Sequence, residues 1–163
     1  EEMNPSFERV QQRDWDHPIC EEWVAALDGA VRRAGPHVVL VAHSLACLVV
    51  AHWATRPHKP VGGALLVAVP DPSGPNFPKE AVGFSETPAQ PFSFQSTVVV
   101  STDDPYGSRQ NSERLAQAWG SRVITIGNRG HINANSGLGA WSEGCDLLRH
   151  LQANPASRGR YAI

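Results

Sequence analysis

Val38-Val39-Leu40-Val41-Ala42-His43-Ser44-Leu45-Ala46-Cys47-Leu48-Val49-Val50 is the stretch on which the fold turns. It opens with four apolar residues, as a strand buried on both faces does. It stays apolar over a helical length, through Ala51, His52, Trp53 and Ala54. Between the two segments stands one polar residue, Ser44, with Ala42 two positions before it and Ala46 two positions after. A tight strand-to-helix turn that lifts a serine hydroxyl above a sheet needs very small residues at those two places, because the two backbones pass close together. Glycine is usual there and alanine is the next smallest. Taken alone, the stretch also reads as a buried strand, a polar turn and a buried helix with no chemistry.

On the N-terminal side, the apolar positions Trp23, Val24, Leu27, Ala30 and Val31 recur at helical spacing between Ile19 and Arg33, and Gly35-Pro36 stops that helix. Residues 37–42 read as a strand and 45–55 as a helix. Further strands are expected at 61–69, 97–101 and 122–126, and further helices at 108–119 and 139–151. A weak, edge-like strand is expected around Val10, between Phe7 and Trp15, ahead of the Asp14-Trp15-Asp16-His17-Pro18 turn. Apolar strands alternating with helices predict a three-layer α/β/α sandwich on a mostly parallel sheet, with right-handed crossovers. The rhythm lapses between Pro70 and Phe94, a long Pro-, Ser-, Gly- and Phe-bearing loop that reads as a lid or a surface excursion. Residues 154–163 read as a loose tail.

The 163 residues suit a single domain, 1–163. With 41% hydrophobic and 18% charged residues the chain is of ordinary globular type. A net charge of -2 without basic or acidic runs argues against nucleic acid or an anionic membrane surface as partner. No apolar run reaches transmembrane length and no signal peptide is evident, so a cytoplasmic location is expected. Cys20, Cys47 and Cys145 are an odd, widely spaced set that reads as reduced thiols and not as a metal site.

In a parallel sheet ligands gather at the carboxyl ends of the strands. Ser44 follows one expected strand, Thr102-Asp103-Asp104-Pro105-Tyr106 another, and Asn128-Arg129-Gly130-His131 a third. Serine, aspartate, histidine, each just past a strand, is the chain order of the α/β-hydrolase triad. The serine needs a base, a neutral histidine is one, and a buried carboxylate holds that ring in the right tautomer. Asp103 and Asp104 both stand in place. Asp104, preceding the proline, is favoured to face His131, with Asp103 bonding the loop. His43 precedes the serine, should point away from it, and reads as a packed histidine. Gly62-Gly63 lacks the third glycine and following helix of a dinucleotide loop.

The segments VVLVAHSLA, STDDPYGS and GNRGHINANSGLGAWSEG, with RVQQRDWDHP and EEWVAAL upstream, resemble small bacterial serine hydrolases of the α/β-hydrolase superfamily related to the retinoblastoma-binding serine hydrolase. The resemblance spans nearly the whole chain and is most specific at GHINANSGLGAW. It implies catalytic Ser44, Asp104 and His131, no cofactor and no metal, and an esterase-like action on a small ester or amide. The backbone N–H of Leu45 is then one oxyanion donor. The alternative is a non-catalytic interaction module that keeps the hydrolase fold. The resemblance also implies an N-terminal truncation. Such proteins begin with a strand and an oxyanion loop, and nothing from Glu1-Glu2-Met3 to the RVQQRDW segment matches them. The Val10 strand and Val38–Val41 are then expected two strand spacings, about 10 Å, apart.

Overall fold

The computed structural model describes residues 7–153. The polar stretch Glu1–Ser6, which reads as a helix end or a loop, and the expected loose tail at 154–163 fall outside the described residues. Helix α1 (Cys20–Ala34) buries the predicted stripe of Trp23, Val24, Leu27, Ala30 and Val31. Glu21 and Glu22 in its first turn and Arg32 and Arg33 in its last suit the helix dipole. Gly35, at φ 92, returns its N–H to Val31. Strand β1 (Val39–His43) leads through Ser44 into α2 (Leu45–Ala54), which is apolar almost all round and sits deep in the core. Trp53 of α2 donates its indole N–H to Asp28 of α1, and Arg56 grips both carboxylate oxygens of Glu21.

Strands β2 (Gly63–Val67), β3 (Ser96–Val100) and β4 (Arg122–Thr125) complete a four-stranded parallel sheet in the order β1-β2-β3-β4. Side chains alternate across a strand. Leu40, Ala42, Leu66, Val98 and Val100 enter the core with α1, α2 and α3 (Arg109–Trp119). Val39, Leu65, Val67 and Val99 face α4 (Ser142–Ala153). Both faces are therefore covered, as the unbroken apolar runs of β2 and β3 require. Serial strand order with parallel pairing brings every carboxyl end to one edge of the sheet.

Two expectations change. Residues 7–15 form no strand: Val10 lies in irregular chain, and β1 is the edge of the sheet. No described strand lies on that side of β1 to pair with Val10 and hold it extended. The anticipated spacing between two strands therefore has no second strand, and a slot of about 930 Å³ lies between segment 7–15 and β1. The 70–94 loop, for its part, has no helix or strand of its own, yet it is pinned to the core. Phe84 and Phe94 are buried, and Val82 bridges Ile19. Near its start Asp71 N–H donates to Tyr106 O, and Asn76 donates to Pro105 O.

Candidate active site

Ser44 occupies the turn between β1 and α2 with φ 56 and ψ -128, a conformation that costs an L-residue strain. Its N–H donates to Val67 O at 2.9 Å, tying the turn to the end of β2. The Ala42 side chain, two residues before Ser44, is buried. The N–H of Leu45, the first of α2, has no intrahelical acceptor by its position and lies at the positive end of the helix dipole.

The loops after β3 and β4 bring the other predicted residues to Ser44. His131 Nε2 is 2.7 Å from Ser44 Oγ, and His131 Nδ1 is 2.9 Å from both oxygens of Asp104. Side-chain exposure is 10% for His131 and 3% for Asp104. With Nδ1–H donating to the carboxylate, Nε2 is free to accept the serine hydroxyl. Asp104 also accepts the Tyr106 N–H at 2.9 Å, which orients it.

Asp103 faces elsewhere. Its Oδ1 accepts the Ser101 hydroxyl at 2.8 Å and the Gly130 N–H at 2.7 Å, joining the β3 loop to the β4 loop. Those bonds, the Ser101 hydroxyl first, hold its carboxyl below the usual range. Ser101 Oγ in turn accepts the Arg129 N–H at 3.0 Å. Thr102 and Asn128 bond across the same junction.

His43 does more than pack. It donates Nε2–H to the carbonyl oxygen of His131 at 2.8 Å, and the two rings lie 4.8 Å apart, edge to face. One side of its ring opens to the slot, while the rest is packed enough that desolvation pushes its pKa below 6.5. Tyr106 lies 4.5 Å from the His131 ring on centroids. Neither contact is local in sequence, so periodicity and motif carry no trace of them. Ile132, just after His131, is held at φ 48, unusual for a β-branched residue, and Ala68 at φ 55 ends β2. Backbone strain thus gathers at the sheet edge that carries Ser44 and His131.

A shallow polar recess of about 460 Å³ lies against His131, lined by Tyr106, Asn128, Arg129, Asn133 and Asn135 among others. Among the described residues no three His, Cys, Asp or Glu side chains stand where they could hold a metal. No helix among them is long and apolar enough to cross a membrane. Chemically, the arrangement can draw a proton from the Ser44 hydroxyl onto a ring whose developing charge faces a buried carboxylate.

A crystal structure described as a YdeN-like hydrolase from Pectobacterium atrosepticum aligns with a TM-score of 0.82 at 27% identity, over 96% of this chain and 81% of that one. The ydeN gene product of B. subtilis aligns at TM-score 0.67 and 22% identity, over 84% and 77%. A monoacylglycerol lipase of Paleococcus ferrophilus aligns at 0.63 and 16%, over 84% and 76%. These likenesses establish the α/β-hydrolase fold. No curated protein matches the sequence. The family model described as Serine hydrolase matches residues 1–150, and the chain belongs to that serine hydrolase family.

Proposed function

We propose that this hydrolase acts through Ser44, His131 and Asp104 on a small ester or amide, by way of an acyl-enzyme. The observation that supports this most is the unbroken line of hydrogen bonds, 2.7 Å from Ser44 to His131 and 2.9 Å from His131 to Asp104. Ser44 Oγ attacks the substrate carbonyl carbon while its proton passes to His131 Nε2. The carbonyl oxygen becomes an oxyanion that accepts the Leu45 N–H. Collapse expels the alcohol or amine, which takes the proton back from His131. Water then repeats the sequence on the ester of Ser44, releasing acid and restoring the hydroxyl. Asp104 keeps Nδ1 protonated and stabilises the imidazolium in both halves.

A fluorophosphonate probe tests this. The probe should label Ser44 stoichiometrically, and His131→Ala should lose the label while remaining folded. Equal labelling of the two proteins would remove His131 from the mechanism. No observation favours the non-catalytic module over this reading.

A further inference from the structure

Ser44 and His131 come from different segments of the chain, and they are not held equally firmly. Ser44 follows His43, which stands in the β1–β2 ladder opposite Val67. Its own N–H bonds to Val67 O at 2.9 Å. His131 stands on a loop. Gly127 and Gly130 in that loop adopt positive φ, 74 and 52, so the backbone there has little stiffness of its own. The Arg129 and Gly130 N–H groups are tied to Ser101 and Asp103. Those bonds fix the loop up to the residue before His131.

The peptide between His131 and Ile132 leads straight into strained chain. Ile132 has φ 48, and a β-branched residue keeps that value only where its surroundings enforce it. Two hydrogen bonds act on this one peptide plane. Its N–H, on Ile132, donates to Arg129 O at 3.1 Å, within the loop. Its C=O, on His131, accepts the Nε2–H of His43 at 2.8 Å. Among the described residues no other hydrogen bond ties this peptide to the sheet. The Ile132 side chain is packed in the core, but packing a side chain leaves the peptide before it free to turn. The residue before the nucleophile thus holds the backbone of the base.

We infer that His43 is a positioning residue of the active site: through its hydrogen bond to the His131 carbonyl it keeps the His131 imidazole in line with Ser44. The inference rests on the proposed roles of Ser44 and His131. Without the bond the peptide can turn and Ile132 can relax from φ 48. The imidazole, 2.7 Å from Ser44 Oγ, then loses its fixed seat. A displacement of about 1 Å can lower turnover on the order of 100-fold, because the proton transfer depends on alignment. The competing reading is that the His43 ring merely packs against the His131 ring, 4.8 Å away and edge to face. The two readings assign the effect to different atoms, the Nε2–H or the carbon edge of the ring.

Two variants separate them. His43→Phe keeps a ring and removes the donor, whereas His43→Gln keeps a donor and removes the ring. Each is compared with the wild-type chain in the hydrolysis of p-nitrophenyl acetate and in the rate at which a fluorophosphonate labels Ser44. His43→Phe should lower kcat by about tenfold or more and slow labelling to match. Its KM should stay within about twofold, since the bond acts on proton transfer and not on substrate binding. His43→Gln should recover most of both rates. His43→Phe as fast as the wild type overturns the inference, and so does His43→Gln as slow as His43→Phe. If circular dichroism shows that His43→Phe does not fold, His43→Ala takes its place against His43→Gln, with the same two outcomes deciding. A wild-type chain that the probe leaves unlabelled removes the proposed function and this role with it. A labelled wild type with equally fast variants removes the role of His43 alone.

Discussion

Two adjacent carboxylates do different work because their loop points them at different neighbours. Asp104 meets His131 through both oxygens, and Asp103 meets the Ser101 hydroxyl and the Gly130 N–H. Asp104→Asn should therefore lower kcat about 10⁴-fold, the effect of trapping the wrong histidine tautomer. Asp103→Asn should lower it far less, since it slackens a loop without touching the ring. Ester turnover of the two purified variants checks the order, and a reversed ranking would reassign the roles. His43 makes a different prediction. Burial depresses its folded pKa below 6.5. Below that value the unfolded chain binds the proton more readily, so the stabilising contribution is present above about 6.5 and is lost as pH falls toward the folded pKa. Wild-type Tm should drop further between pH 7.5 and 5 than that of His43→Gln, which keeps a donor and does not titrate. Parallel pH profiles would refute it. The residue pair Ser44 and His131 could be read from chain order alone. The partnership of His43 with His131, 88 positions away, could not, because it exists only once the loops have met.

At the level of elements, most helices and strands follow from period and punctuation. Gly35-Pro36 closes α1, and Ser108 caps α3 by accepting the Asn111 N–H. The edge is where local pattern fails. Val10 alternates with polar neighbours as an edge strand would, but a strand needs a ladder, and no described strand lies on that side of β1. The connection after β3 offers a sharp test. A Cβ on Gly107 would stand 2.2 Å from Val69 O, where the loop crosses the end of β2. Gly107→Ala must push that loop, and Asp104 with it, off its seat. A loss of about 1–3 kcal/mol in urea unfolding, together with reduced turnover, is the expected outcome. Unchanged values in both would mean the crossing has slack.

For the molecule as a whole, one chain direction governs everything. All four strands run parallel in serial order, so one edge collects the loops that carry Ser44, Asp104 and His131, and the loops after β3 and β4 brace one another through Ser101 and Asp103. The architecture was legible because β2 and the Val98–Val100 end of β3 are apolar without alternation, as strands of a sheet covered on both faces are. The path of the 70–94 loop was not legible, because Phe84 and Phe94 find their places only between helices that the loop does not itself contain.

That loop ends in a stack of rings. Trp53 lies 6.1 Å from Phe94, Phe94 5.1 Å from Phe92, and Phe92 5.2 Å from Trp119, so the strand of chain entering β3 is wedged between α2 and α3. Trp119 also donates its indole N–H to Pro88 O. Covalent continuity across the loop is thus not what holds the two halves together. Cutting the exposed bond between Lys79 and Glu80 should leave halves that recognise each other, since β2 still pairs with β3 and the rings still interleave. Residues 1–79 and 80–163, co-expressed as separate polypeptides, should co-elute as one particle of the parent's size and recover ester turnover. Halves that elute apart would show that the loop is a tether and not merely a connector.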